Sequence, residues 1–136
     1  MWLEHLARQA PPVPETGTAS PITIRRFTGH HPLELNWEPM ILGLSNDLQN
    51  GISPAILARR AHESMAAVIA AVTARLGVQS VALSGGCFQN GLLTEYTLAK
   101  LRRDGRQGYI NRRVPPGDGG LALGQAVLAR RILAGE

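Results

Sequence analysis

Between Ser53 and Gly77 the apolar positions Leu57, Ala61, Met65, Val68, Val72 and Leu76 recur at intervals of three and four, the period of one helix face. Ser53 is a good N-cap, Pro54 fits the first turn, and Gly77 supplies a stop. The pattern predicts a long helix with this stripe turned to the core. A shorter helical pattern precedes it: from Pro39 onward Ile41, Leu44 and Leu48 share a face, and the run stops at Gln49, Asn50 and Gly51.

Residues 78–84, "VQSVALS", form a short β-branched run bounded by glycines and read as a strand. Residues 88–105 then read as a helix, with Leu92, Tyr96 and Ala99 on one face. A further strand is predicted over 108–114, a tight loop over 115–120 ("PPGDGG"), and a closing helix over 121–136. The second half is thus helix, strand, helix, strand, helix, which argues for an α/β layered domain with parallel strands. In the first half, 22–27 ("ITIRRF") and 33–37 ("LELNW") alternate and can pair across the turn "TGHHP". The proline- and glycine-rich stretch Ala10–Pro21 reads as a loop that sets a short N-terminal helical stub apart from the rest. The organisation expected is a single partial domain: stub and loop over 1–21, and one α/β lobe over 22–136.

The chain has 136 residues, of which 44% are hydrophobic, enough for a core and too apolar for disorder. Of its 14 basic residues only Lys100 is a lysine; the rest are arginines, and the net charge is +4. Arginine suits planar anions such as phosphate and carboxylate, but these are scattered rather than striped, which fits a coding bias equally well. With no interleaving of aromatic and basic residues, nucleic acid is not an expected partner. Cys87 is the only cysteine, which excludes an internal disulfide and a multi-cysteine zinc site. No stretch approaches the roughly 20 apolar residues needed to span a bilayer, and no export signal opens the chain, so a cytoplasmic location is expected.

Candidate chemistry falls at the two glycine-rich junctions. In open α/β sheets, ligands gather at the carboxyl ends of the strands, where helix N-termini offer backbone N–H groups to an anion. Ser84, Gly85 and Gly86 follow the first strand of the second half; Asp118, Gly119 and Gly120 lie between the second strand and the last helix. Taken alone, two glycines at such a turn more often mark a tight connection than a ligand site. Asn90, placed one turn into its helix, can bond a ribose, phosphate or acyl group or face solvent. Asp118 suits a hard cation or iron, or forms an Asx turn. No lysine followed by serine or threonine comes after the glycines, so the loop is not a P-loop. Gly120 and Gly124 would let the last helix approach a backbone or flat ligand closely. His30 and His31 read as a solvent-exposed pair, His62 as a boundary residue beside the apolar stripe, and Cys87 as a small half-buried residue.

"VALSGGCFQNGLLTE" followed by "RRVPPGDGGLALGQA" closely resembles the C-terminal end of the hydrogenase-maturation carbamoyltransferases of the HypF type. The likeness covers most of residues 35–135 and, more weakly, the start "MWLEHLA". The resemblance implies the C-terminal lobe of an actin-like ATPase (ASKHA) fold, shared with the tRNA threonylcarbamoyl transferases. It also implies use of ATP and carbamoyl phosphate to form a carbamoyl adenylate, whose carbamoyl group passes to the C-terminal cysteine of a partner maturation protein. By the same resemblance Ser84, Gly85, Gly86, Asn90, Gly119 and Gly120 correspond to nucleotide-binding positions, and Asp118 to a ligand of a divalent metal or iron. Cys87, Ala61 and Gly117 depart from the family's usual valine, phenylalanine and asparagine. The expectation is a last lobe that is inactive alone and that pairs with a first lobe on another chain, a maturation partner, or a second copy of itself.

Overall fold

The structure, a computed structural model, describes residues 2–11, 21–25 and 33–135. The helices are α1 (Trp2–Arg8), α2 (Glu38–Gln49), α3 (Pro54–Arg75), α4 (Gly91–Arg103) and α5 (Leu121–Ala134). The strands are β1 (Thr23–Arg25), β2 (Glu34–Asn36), β3 (Ser80–Leu83) and β4 (Gln107–Ile110). β1 and β2 pair antiparallel with Ile24 opposite Leu35, as the alternation predicts, although each is three residues long. The turn between them, with His30 and His31, lies outside the described residues, as does most of the proline-rich stretch. β3 and β4 pair in parallel, Ser80 opposite Gln107 through Leu83 opposite Ile110, joined by α4 as the crossover. β4 ends at Ile110, earlier than the sequence pattern suggests, and the chain bends over Arg112–Val114.

α3 begins where its cap predicts: Ser53 Oγ accepts the Ile56 N–H at 3.4 Å. Its buried side differs from the predicted stripe. Ala58, His62, Ser64, Ala66, Val68, Ala70 and Thr73 are buried, whereas Leu76 is 57% exposed and Leu57, Ala61, Met65 and Val72 are only half-buried. Val68 alone of the predicted stripe is buried; α3 is packed by α1, α2 and α4, and their close approach favours mostly small side chains, with His62 buried among them. On α2 the shared face is likewise open, with Ile41 and Leu48 both exposed and Met40 buried in their place.

The N-terminal helix is not a stub set apart. Ala7 joins Ala58 and Leu92 in one buried cluster, with Leu6 and Tyr96 packed against it, so α1 belongs to the same core as α3 and α4. The buried hydroxyls are satisfied by their own helices: Thr97 Oγ1 donates to Leu93 O at 2.7 Å and Thr73 Oγ1 to Ala70 O at 2.9 Å. α5 contrasts with the rest, since none of its residues is buried.

Candidate functional site

Because β3 and β4 run in parallel with Leu83 opposite Ile110, the residues that follow them, Ser84 and Asn111, leave the sheet at the same end. The two glycine loops therefore start side by side. Gly85 has φ 99° and ψ 163°, a conformation open essentially to glycine alone, and this turns its N–H onto the other loop. That N–H donates to Pro116 O at 2.6 Å. The Ser84 hydroxyl donates to the same carbonyl at 3.2 Å. On the far side Gly120 donates to Gly117 O at 2.9 Å, and a Cβ at Gly120 would lie 2.7 Å from the Pro115 carbonyl oxygen.

These contacts close the floor of a cavity of about 450 Å³, whose lining includes Ser84, Gly85, Asn111, Asp118, Gly120 and Leu121. The Asp118 carboxylate is exposed there and makes no hydrogen bond or ion pair among the described residues; it does not form an Asx turn. No side chain caps the start of α5 at Gly120; a 3-10 turn over Asp118–Gly120 leads into it, with the Leu121 N–H donated to Asp118 O and the Gly120 N–H to Gly117 O.

The N-terminus of α4 is different. Sequence reasoning expects it to offer free N–H groups to an anion, but two of them are taken. The Glu4 carboxylate of α1 accepts the Leu92 N–H at 3.1 Å, and Asn90 Oδ1 accepts the Leu93 N–H at 3.0 Å. Asn90 is thus the N-cap of α4 rather than a residue one turn inside it. Partial burial pushes the Glu4 carboxyl up, but hydrogen bonds from Arg8 and the Leu92 N–H, with the Arg8 charge, hold it below its ordinary value. Burial raises the nearby Tyr96 phenol.

Asn90 and Gly86 line a second cavity, of about 330 Å³, behind the two-glycine turn, together with Leu3, Ala61, His62 and Cys87. His62 is not a boundary residue; it is 4% exposed and hydrogen-bonded on both ring nitrogens. Cys87 is exposed rather than half-buried. A Cβ at Gly119 would lie in ordinary contact with the Pro115 ring, at 3.5 Å, and Gly119 lines neither cavity. Sequence reasoning missed Glu4 and Asn111: nothing near Glu4 in the chain marks it as a cap, while Asn111 is signalled only by its place after a strand.

This architecture is shared. A family model described as "Carbamoyltransferase, Kae1-like Domain, second subdomain" matches residues 1–125. The chain belongs to this family. It is 31% identical over 93 residues to the carbamoyltransferase HypF of Synechocystis, covering 68% of this chain and 12% of that protein. With the carbamoyltransferase HypF of Rhizobium leguminosarum it shares 35% over 106 residues, 75% of this chain and 14% of the relative. A crystal structure of full-length HypF in its phosphate- and nucleotide-bound form superposes with a TM-score of 0.78 at 27% identity, over 96% of this chain and 17% of that one. HypF from T. kodakarensis gives 0.73 at 27%, over 98% of this chain and 16% of that one. The chain therefore spans about one seventh or less of the curated relatives named here. Its fold is mixed α/β of the HypF kind, and its homology is to a carbamoyltransferase domain. Among the described residues, no helix is long and apolar enough to cross a membrane.

Proposed function

We propose that this chain is the C-terminal part of a carbamoyltransferase, the second lobe of an actin-like ATPase, acting in the cytosol on nickel–iron hydrogenase maturation. In this reading ATP and carbamoyl phosphate supply a carbamoyl group for the C-terminal cysteine of a partner protein. The observation that carries the reading is the bond from Gly85 N–H to Pro116 O, which joins the two glycine loops, distant in sequence, into one cavity floor.

The floor leaves room for a nucleotide: Gly85 presents backbone without a side chain, and the Ser84 oxygen, whose hydrogen goes to Pro116 O, keeps lone pairs that accept from a ribose hydroxyl. Asp118 is a hard oxygen donor of the kind a divalent metal or iron takes. It is one ligand only, and among the described residues no three His, Cys, Asp or Glu side chains converge on a metal position. The described donors therefore do not complete a metal site by themselves. Ser84, Gly85 and Asp118 are themselves exposed. An exposed floor does not exclude water, and preorganised surroundings are what make such a site catalytic. On that ground this lobe binds and orients but does not turn over alone.

The test is to mix the chain with one carrying the remainder of the carbamoyltransferase and to follow ATP hydrolysis. Hydrolysis that depends on carbamoyl phosphate and is abolished by Asp118→Ala is the expected result; a reconstituted pair with no such activity overturns the reading. A second reading, a non-catalytic interaction module, is favoured by α5. Leu121, Leu128 and Ile132 lie along one face of it at 62%, 60% and 68% exposure, an apolar stripe suited to a first lobe, a maturation partner or a second copy. Sedimentation of a compact monomer at high concentration would count against self-association.

A further inference from the structure

The two cavities lie on either side of the Gly85–Gly86 turn, and one hydrogen-bonded pair, buried His62 and half-buried Asn90, reaches that turn from α3. His62 Nδ1 is 2.7 Å from the Ala58 carbonyl oxygen, and Nε2 is 2.8 Å from the Asn90 side-chain nitrogen. A carbonyl only accepts, so Nδ1 carries the proton. Nε2 then has a lone pair, and it accepts from the Asn90 amide. The amide cannot turn over without cost, because its oxygen accepts the Leu93 N–H. This one tautomer satisfies every partner, whereas a proton on Nε2 would set two donors face to face.

Asn90 is the joint between the turn and α4. Its N–H donates to Cys87 O at 3.1 Å, closing the 3-10 turn over Gly86–Gln89, and Phe88 N–H donates to Gly85 O at 3.1 Å. Thr94 Oγ1 ties Phe88 O back to the first turn of α4 at 3.2 Å. The chain of contacts thus runs from the α3 backbone through His62 and Asn90 to Gly85, and from Gly85 N–H to Pro116 O.

We propose that His62 is a positioning residue for the glycine-floored cavity, acting through Asn90 to hold the Gly85–Gly86 turn against the Pro116 loop. The inference deepens the nucleotide reading of that cavity and rests on it. His62 touches no ligand in this arrangement; it lines the second cavity, on the other side of the turn.

The experiment uses the full chain with His62→Leu, His62→Gln and Asn90→Ser, the last retaining an N-cap oxygen while losing the reach to His62. Two readouts are taken: NMR of the Gly85 and Gly86 amides with the imidazole nitrogens, and ATP titration by calorimetry. The wild-type ring should show the Nδ1–H tautomer. His62→Leu and Asn90→Ser should shift the Gly85 and Gly86 resonances and weaken ATP binding roughly three- to tenfold, the scale of one neutral hydrogen bond. His62→Gln, whose amide oxygen can accept from Asn90, should restore most of both. Gly85 and Gly86 resonances that superpose on wild type in folded His62→Leu, or a ring protonated at Nε2, would overturn the proposal. If His62→Leu does not fold, Asn90→Ser makes the same comparison from the other partner. Absence of ATP binding by the wild-type chain would sink the nucleotide reading, while the resonances still decide the role of His62.

Discussion

The carboxylate of Glu4 accepts the backbone N–H of Leu92 at 3.1 Å, across 88 positions of sequence. One helix thus caps another, and the negative charge sits where the α4 dipole favours it. Arg8 holds the same carboxylate at 3.1 Å and also reaches Glu95 at 3.1 Å. A group from the N-terminus of the chain thereby occupies an anion position that a ligand would otherwise find open.

Glu4→Ala should therefore destabilise the fold by about 1 kcal/mol, the usual worth of a helix cap, measured by urea unfolding. The pH dependence has a definite sign. The folded carboxyl lies below its ordinary value of 4.5, so the unfolded chain binds the proton more readily. The contribution is fully present above pH 4.5, is lost as pH falls through the folded value, and is absent from Glu4→Ala at every pH.

Replacing Gly85 by alanine should cost about 1–3 kcal/mol, because φ 99° with ψ 163° lies in a region that side chains with a Cβ rarely enter. Gly86 has open space around a Cβ and no positive φ, so Gly86→Ala should cost under about 1 kcal/mol. Thermal unfolding of the two variants, measured together, separates a backbone requirement from a preference for small residues.

Asp118→Asn should leave stability within about 0.5 kcal/mol of wild type, since the carboxylate is exposed and unpartnered among the described residues. The reconstituted enzyme should nevertheless lose its carbamoyl-phosphate-dependent ATP hydrolysis. Coincident loss of both stability and activity would assign Asp118 a structural role instead.

Leu101 is fully buried at 0% exposure, and Leu101→Ala should cost about 2–5 kcal/mol. Ile132→Asp, at 68% exposure on α5, should leave unfolding nearly unchanged while abolishing any self-association seen by ultracentrifugation. The contrast checks that α5 serves a surface rather than the core.

The chain's own pattern was enough to determine the alternation of helix and strand in the second half, the cap at Ser53, the parallel pair, and the pairing of β1 with β2. These follow from forces acting over a few residues: apolar periodicity, side-chain capping and the backbone preferences of glycine. It was also enough to single out both glycine loops, and Ser84, Gly85, Asp118 and Gly120 do line one cavity. Only the tertiary structure decided that Asn90 and Gly86 line the cavity behind the turn, that His62 is buried against Asn90 28 positions away, and that Glu4 closes the start of α4. It also decided which residues of α3 are buried, because three neighbouring helices pack on it and mostly small residues, with Val68 and His62, meet them. Contacts of this kind join positions that share no local pattern, so their energies leave no mark on the sequence until the helices pack.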